Sequence, residues 1–490
     1  MKTKQEILET VFKYQSFRLQ QGEIIDSVFS EGTKGNLVVM PTGGGKSLLF
    51  QIPALMQDGL SIVVSPLISL MKDQVDTLEK QGVQVKTYNS SLSEKEKDEV
   101  INAINLGYLQ LLYVAPERFD DDDFLFLLRK TGINVFAIDE AHSISMWGHD
   151  FRPSYKRLKK HIEYLKPKQI IAVTATATPR VQTDICVSLG IPNAKRTITG
   201  FFRDNLSIRM KMLPEHEKAD EIAVQIAEYN SLGHSTGIVY SGTRKNAEYI
   251  VGHLHDEYRI NASFYHAGMT PKDRTKTQDD WFQYGGNIIA TTSFGMGVNK
   301  ADVRYVIHAN MPGNIESWYQ EIGRAGRDGK LSVCKSYIDV AKDVQLHNFF
   351  INMACPPAET VRKFWDWMWY DTRHHNVLSM TQEQMGEKAD IDSPFVGGCI
   401  SVLRNSKLIE TEKRGTYVVK QFAKADDAPI DWEGLRVKRQ QKQERLREMI
   451  AFVKNDNQCR MQGIMEYFGE KTHKTCGKCD VCLKNSTKKV

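Results

Sequence analysis

Short, wholly apolar runs recur along the first part of the chain: NLVVM (36–40), SIVVSP (61–66), LQLLYVAP (109–116), NVFAID (134–139) and QIIAVTAT (169–176). Each is followed by a polar turn and then by residues at helical spacing. Runs that are apolar at every position, rather than at alternate ones, suit parallel strands covered on both faces. A second series repeats the rhythm: STGIVYS (235–241), ASFYHAG (262–268), NIIATT (287–292), VRYVIHAN (303–310) and VCKSYI (333–338). Strands alternating with helices predict two doubly wound α/β domains, over 1–200 and 201–345. The joint is expected in the turn-rich SLGIPNAKRTITGFFRDNL, 188–206.

From about Pro356 the rhythm becomes mostly helical. TQEQMGEKADI (381–391) reads as a short helix and turn, SPFVGGCISVLRNSKLIE (393–410) as a longer helix, and IETEKRGTYVVK (409–420) as a hairpin around Arg414-Gly415. Helix, turn, helix and hairpin predict a winged-helix-like domain over 356–425. Such a module meets DNA through its second helix or its wing, or serves only as a packing module. The remainder, 430–490, reads as a helical module ending in a cysteine cluster.

Composition changes this picture little. A chain of 490 residues, 41% hydrophobic, can hold about three domains with proper cores. No apolar run reaches the roughly 18–20 residues that a membrane span needs, and the N-terminus MKTKQEILETVF has no signal-peptide core. A monomeric cytoplasmic protein with no membrane partner is expected. The excess of 65 basic over 60 acidic residues permits a nucleic-acid partner without arguing for one. The run Asp120–Asp123 reads as a solvated loop. RVKRQQKQERLRE (436–448) reads as the solvated face of a charged helix, or as a phosphate-contacting one.

The candidate chemistry begins with MPTGGGKS (40–47), which follows an apolar run and precedes a helical stretch. Thr42, Gly43, Gly44 and Gly45 let backbone amides curl round phosphate oxygens. Lys46 then reaches the outer phosphates and Ser47 ligates magnesium. Met40 stands where the strict phosphate-loop pattern has glycine. Asp139-Glu140 ends a later strand, and a parallel sheet can bring that strand beside the loop. Asp139 is expected to hold magnesium, and Glu140 to position or deprotonate the attacking water. YQEIGRAGRDG (319–329) offers Gln320, Arg324 and Arg327 to stabilise the charge that spreads over a transferring phosphoryl group. These lie at the end of the second α/β domain, so ATP bound in the first would be completed only when the domains close.

The stretch AIDEAHSISMWGHDFRPSY (137–155) follows the acids directly. Trp147 and Phe151 offer faces for unpaired bases, worth roughly 1–3 kcal/mol per base, and Arg152 can meet a phosphate. A strand held there is close enough in sequence to report its presence to Glu140.

These residues carry a resemblance. With VVSPLISLMKDQ (63–74), YVAPERF (113–119), DEAH (139–142), VTATAT (173–178), GIVYSGTR (237–244), YHAGM (265–269), TTSFGMGVNKADVR (291–304) and QEIGRAGR (320–327) in order, the chain resembles the RecQ family of superfamily-two DNA helicases. FKYQSFRLQQGEII (12–25) is similar to the family's adenine-binding motif and places Tyr14, Arg18 and Gln21 in the reading positions. Leu19-Gln20 stands there for the family's Pro-Gly. SISMWGHDFRP (143–153) resembles its aromatic-rich loop. The resemblance implies two RecA-like parallel-sheet domains, then a mainly helical winged-helix-like region and a small zinc-binding module. It also implies ATP and Mg2+ as cofactors, single-stranded and forked DNA as partners, 3′-to-5′ stepping, and a role in repair or recombination. Ser65, Pro66, Arg118, Thr243, Arg244, Thr291 and Thr292 take strand-tracking roles by the same resemblance.

Four of the eight cysteines, Cys459, Cys476, Cys479 and Cys482, crowd the C-terminus. Close Cys-x-x-Cys pairs with a fourth thiolate close a tetrahedral structural Zn2+ site. His473 is a rival ligand, and an iron–sulfur cluster is the alternative metal. The family's zinc module has a similar CR…YFGE…CGKCDVC sequence, but it usually precedes the winged helix, whereas here it follows. The functional alternatives are an RNA helicase or duplex translocase, and a non-catalytic DNA-binding scaffold.

Overall fold

In the computed structural model the apolar runs become strands of two sheets, all interior except ASFYHAG, which forms an edge strand. The structure describes all residues except 1, 31, 33, 146, 147, 149–151, 235, 296, 297, 299, 414, 421–423 and 488–490. The first sheet comprises β1 (Gly35–Val39), β2 (Ser61–Val64), β3 (Val85–Tyr88), β4 (Leu111–Val114), β5 (Val135–Ile138), β6 (Gln169–Thr174) and β7 (Lys195–Ile198). Its order is β3-β4-β2-β5-β6-β1-β7, with every neighbouring pair parallel. β1, β2, β4 and β5 are buried at every residue, as expected where helices cover both faces. Trp147 and Phe151, singled out above, lie outside the described residues.

The second sheet comprises β8 (Leu206–Met212), β9 (Thr236–Tyr240), β10 (Ala262–Tyr265), β11 (Gly286–Ala290), β12 (Tyr305–His308) and β13 (Ser332–Ile338). Its order is β10-β11-β9-β12-β13-β8. Two features differ from the sequence reading. The joint region 188–206 is not merely connection, because β7 and the start of β8 fall inside it. And β5 is not beside β1: β6 lies between them, so the phosphate-type loop and the acid pair flank the end of a third strand.

The chain divides into two compact units, Met1–Tyr337 with Asn455–Val490, and Ile338–Lys454. The second unit packs helices Val340–Ala354, Ala358–Thr372, Gln382–Ala389, Ser393–Asn405 and Trp432–Lys454 with a three-stranded sheet. That sheet pairs β14 (Val377–Ser379) and β15 (Ile409–Lys413) on either side of β16 (Thr416–Val419), all antiparallel. Phe364, Trp365, Met385, Val396, Leu403 and Tyr417 form its core. A Cβ on Gly398 would stand 2.1 Å from the Met353 carbonyl oxygen, so only glycine lets the two helices approach this closely.

The expected 430–490 module is divided by this arrangement. Helix Trp432–Lys454 stays in the second unit, where Arg439 donates to the Cys355 carbonyl at 2.8 Å and to Asn352 Oδ1 at 2.6 Å. Only Asn455 onward belongs with the two large sheets. Among the described residues no helix is long and apolar enough to cross a membrane.

Candidate active site and metal centre

The loop after β1 is shaped by its glycines. Gly43 and Gly45 have φ of +82° and +79°, which L side chains rarely adopt. Gly44 needs its missing side chain for another reason: a Cβ there would meet Met40 Cγ at 2.7 Å. Met40, fully buried, fills the space beneath the loop. The helix Leu48–Leu55 starts at Ser47 with no side-chain cap; the amides of Leu48, Leu49 and Phe50 donate instead to the carbonyls of Gly45, Lys46 and Ser47. Gln21 braces the loop from outside, donating to the carbonyls of Gly44 at 2.9 Å and Gly45 at 3.2 Å, while its Oε1 accepts from the Arg18 amide at 2.8 Å. Leu19, exposed and at φ +51°, holds a left-handed turn there that a side chain disfavours.

Asp139 and Glu140 close the floor of the same cleft. Glu140 sits in the left-handed region at φ +46°, a strained setting for a carboxylate residue. Burial, reinforced by the neighbouring Glu140 charge, pushes the Asp139 carboxyl up to about 7. Burial likewise holds the Lys46 ammonium below its ordinary range, against the pull of Glu140 and Asp139. Two crowded carboxylates beside one ammonium are a donor set suited to a hard divalent cation such as magnesium. The glycine cradle suits phosphate.

The second lobe supplies the opposite wall. Gln320, Arg324 and Arg327 all line this cleft of about 1020 Å3, with Tyr14, Arg18, Gln21, Thr42, Gly43, Gly44, Gly45, Lys46, Ser47, Asp139 and Glu140. A Cβ on Gly43 would touch Arg327 Cγ at 3.3 Å, so the arginine packs directly on the loop. Withdrawal from water, with Arg324 and Arg203 near, lowers the Arg327 guanidinium to about 9. Arg324 donates to the Gly295 carbonyl. A line of polar contacts then crosses between lobes. His142 Nδ1 lies 3.3 Å from Glu140 Oε2 and 3.0 Å from Thr174 Oγ1; two residues on, Thr176 Oγ1 accepts from Gln320 Nε2 at 3.1 Å.

Some wall residues escaped the sequence reading. Gln51 donates to the Tyr113 hydroxyl at 2.8 Å, which donates to Gln74 Oε1 at 2.7 Å, and both glutamines line the cleft. The available signal was Gln51 itself, a lone amide in the otherwise apolar LLFQIPAL. Asp73, Gln278 and Asp279 also line it, on helices whose polar faces look like ordinary solvated surface.

The strand-tracking candidates lie past the carboxyl ends of parallel strands: Ser65 and Pro66 after β2, Arg118 after β4, Thr243 and Arg244 after β9, Thr291 and Thr292 after β11. Arg152 Nη1 donates to the Pro66 carbonyl at 2.7 Å, which ties the end of the aromatic-rich segment to the β2 loop. The Arg152 amide donates to the Ser143 carbonyl at 2.8 Å, and a Cβ on Gly148 would stand 2.1 Å from the His142 carbonyl oxygen. Gly148 and Arg152 therefore both lie against the residues that follow Glu140. Thr243 caps helix Arg244–Tyr258 by accepting from the Asn246 amide at 3.1 Å.

The metal centre comprises Cys459, Cys476, Cys479 and Cys482, whose sulfurs all lie within 4.8 Å of one another. Cys459 Sγ is 3.5 Å from Cys476 Sγ and 4.0 Å from Cys479 Sγ. A tetrahedron with Zn–S bonds of about 2.3 Å has edges of about 3.8 Å, so the set fits zinc with no position left open. Hydrogen bonds from Cys476 and Cys479 hold the Cys459 thiol far below its ordinary range, and the same contact holds Cys476 far above it. As thiolates, these four residues would hold a zinc ion. His473 is not in the cluster.

A glycine loop and paired carboxylates on one RecA-like lobe, facing arginines on another, define the two-lobed helicase core. Family models agree: DEAD/DEAH box helicase over residues 18–185, helicase conserved C-terminal domain over 218–329, and RecQ zinc-binding over 406–483. The chain is 41% identical over 352 residues to the ATP-dependent DNA helicase RecQ of Bacillus subtilis (strain 168), covering 71% of this chain and 58% of that one. It is 38% identical over 359 residues to the probable ATP-dependent DNA helicase RecS of the same organism, covering 73% of this chain and 71% of that one. It spans 51% of the length of the Haemophilus influenzae RecQ that it matches at 42% identity over 323 residues, which is 66% of this chain. Among solved structures, S. cerevisiae Dbp5 bound to RNA and ADP BeF3 shares the fold, with a TM-score of 0.54 at 18% identity over 70% of this chain and 89% of that one. The chain belongs to the RecQ family of ATP-dependent DNA helicases.

Proposed function

We propose that this chain hydrolyses Mg-ATP to step 3′-to-5′ along single-stranded DNA and to separate duplexes, in repair or recombination. The supporting observation is the meeting, in one cleft, of the Gly43–Ser47 loop and the Asp139-Glu140 pair with Arg324 and Arg327 of the other lobe. The DNA partner and the ATP dependence are the properties for which the similar proteins are named.

In this reading the amides of Gly43–Gly45 and the Lys46 ammonium bind the phosphates, and Ser47 and Asp139 hold the cation. Magnesium, when bound, neutralises phosphate charge. Glu140 orients the attacking water and takes its proton, and Arg324 and Arg327 stabilise charge spreading over the transferring group. Tyr14, Arg18 and Gln21 flank the base end of the cleft. Gln320, bonded to Thr176 across the lobes, couples this chemistry to lobe closure. Ser65, Pro66, Arg118, Thr243, Arg244, Thr291 and Thr292 hold the strand's phosphates, and Trp147, Phe151 and Arg152, a few residues along the sequence from Glu140, sense it.

The test is Lys46→Ala against the unaltered chain, with turnover measured on single-stranded DNA, single-stranded RNA and duplex. Unwinding is scored on forked, 3′-tailed and 5′-tailed duplexes. The unaltered chain is expected to be stimulated most by single-stranded DNA and to prefer the fork or 3′ tail. Lys46→Ala is expected to lose at least about 100-fold in turnover. Turnover indifferent to DNA, or unchanged by the substitution, refutes the reading.

A further inference from the structure

Arg203 lies in the connection between the lobes, outside every motif considered above and outside the cleft lining. Its guanidinium nevertheless holds both walls. Nη1 donates to the Thr42 carbonyl at 3.2 Å, in the phosphate loop. Nη2 donates to the carbonyls of Ala325 at 3.0 Å and Gly326 at 3.1 Å, between Arg324 and Arg327. Nε donates to Asn205 Oδ1 at 3.3 Å, and Asn205 Nδ2 in turn donates to the Gly326 carbonyl at 2.7 Å and the Lys330 carbonyl at 2.9 Å. Gly326 has φ +58°, and a Cβ there would stand 2.4 Å from Asn205 Nδ2, so the arginine-bearing turn is moulded onto this pair. A planar fork with donors at separate corners can reach carbonyls on two lobes at once; a lysine ammonium, a single point, cannot.

The same connection is gripped from its other side by the cysteine-bearing segment. Phe468 stacks on Phe201 with ring centroids 4.4 Å apart and also packs on Tyr319, the residue before Gln320. Lys474 Nζ lies 3.8 Å from the Phe202 ring centroid, and Ser207 Oγ donates to the Lys478 carbonyl at 2.9 Å. Tyr319 donates its hydroxyl to the Phe201 carbonyl at 2.7 Å. The stretch 200–207 is thus clasped between the nucleotide cleft and the metal module.

We infer that Arg203 is a positioning residue for ATP hydrolysis: it sets the phosphate loop and the Arg324–Arg327 turn in register, and the metal module holds it in place through Phe468. This deepens the hydrolytic reading and rests on it. Arg203 touches no reacting atom, so its loss should spare nucleotide binding and reduce the chemical step.

The experiment compares the unaltered chain with Arg203→Ala, Arg203→Lys and Phe468→Ala at saturating single-stranded DNA. Arg203→Ala is expected to lower kcat by about 10- to 100-fold while KM for ATP stays within about threefold. Arg203→Lys should recover only a small part, and Phe468→Ala should show a milder loss with zinc retained. A readout independent of turnover is amide exchange across 320–331, with and without a non-hydrolysable Mg-nucleotide. Nucleotide should slow exchange there in the unaltered chain and fail to do so in Arg203→Ala. Unchanged kcat and unchanged protection overturn the inference. So does a kcat loss matched by a fallen melting temperature or lost zinc, which marks general destabilisation. If Arg203→Ala does not fold, unchanged kcat in both Arg203→Lys and Phe468→Ala overturns it as well. An unaltered chain that never hydrolyses ATP fails the underlying reading instead, which separates the two failures.

Discussion

The two lobes have the same strand order. Laid edge to edge, β3-β4-β2-β5-β6-β1 of the first corresponds to β10-β11-β9-β12-β13-β8 of the second, each in its own chain sequence. The strand-tracking candidates then follow equivalent strands, though at different offsets: Ser65 and Pro66 after β2, with Thr243 and Arg244 after β9, and Arg118 after β4, with Thr291 and Thr292 after β11. The chemistry does not repeat. β1 leads into a glycine loop and an uncapped helix, whereas β8 leads into the short 3-10 turn Glu215–Glu217. β5 ends in Asp139-Glu140, whereas β12 is followed by Ala309 and Asn310. In the function proposed above, one architecture would thus supply a repeated polymer track, and a nucleotide site assembled from one copy of the glycine loop and one copy of the arginine turn.

The lobes also close the edge of this shared pattern differently. Beyond β1 lies another strand, β7, with Leu37 beside Arg196. Beyond β8 lies the metal module: Asp480 Oδ2 accepts from the Met210 amide at 3.3 Å, and Arg460 fixes that carboxylate at 2.9 Å. An open strand edge invites wrong pairing, so both solutions protect the sheet.

The largest expected effect follows from that difference. Cys479→Ser should abolish zinc content, measured by colorimetric release, and lower the melting temperature by roughly 10 °C or more. Amide exchange at Met210 in β8 should accelerate while β1 is unaffected; equal behaviour of the two strands would break the comparison. A smaller effect tests the shared track. Arg118→Ala and Arg244→Ala should each weaken single-stranded DNA binding and lower the salt dependence by about one phosphate contact. A loss confined to one of them would mean that the lobes do not grip the strand alike. The smallest effect separates the two helix starts. Thr243→Ala removes a cap and should cost about 1 kcal/mol in denaturant unfolding. Ser47→Ala removes no cap, so it should leave stability unchanged while weakening Mg-nucleotide binding.

Much of this was legible from the chain alone, and the reason is burial. Interior strands covered on both faces must be apolar throughout, so β1, β2, β4 and β5 announce themselves. The edge strands β3, β7 and β8 do not. VKTY, KRTI and LSIRMKM carry exposed Lys86, Lys195, Arg196 and Arg209, and their polar sides resemble loops. The same logic hid the division within 430–490, because charged helix Trp432–Lys454 shows its allegiance through contacts such as those of Leu435 and Arg439. The glycine loop, the acid pair and the cysteine spacing were readable because their chemistry is local: φ angles, adjacent charges and short loops are properties of neighbouring residues. Arg203, the Gln51–Tyr113–Gln74 bonds and the contact of Arg327 with Gly43 were not readable. They join residues far apart in the chain, and which polar side chain ends beside which carbonyl is decided only when the sheets have packed.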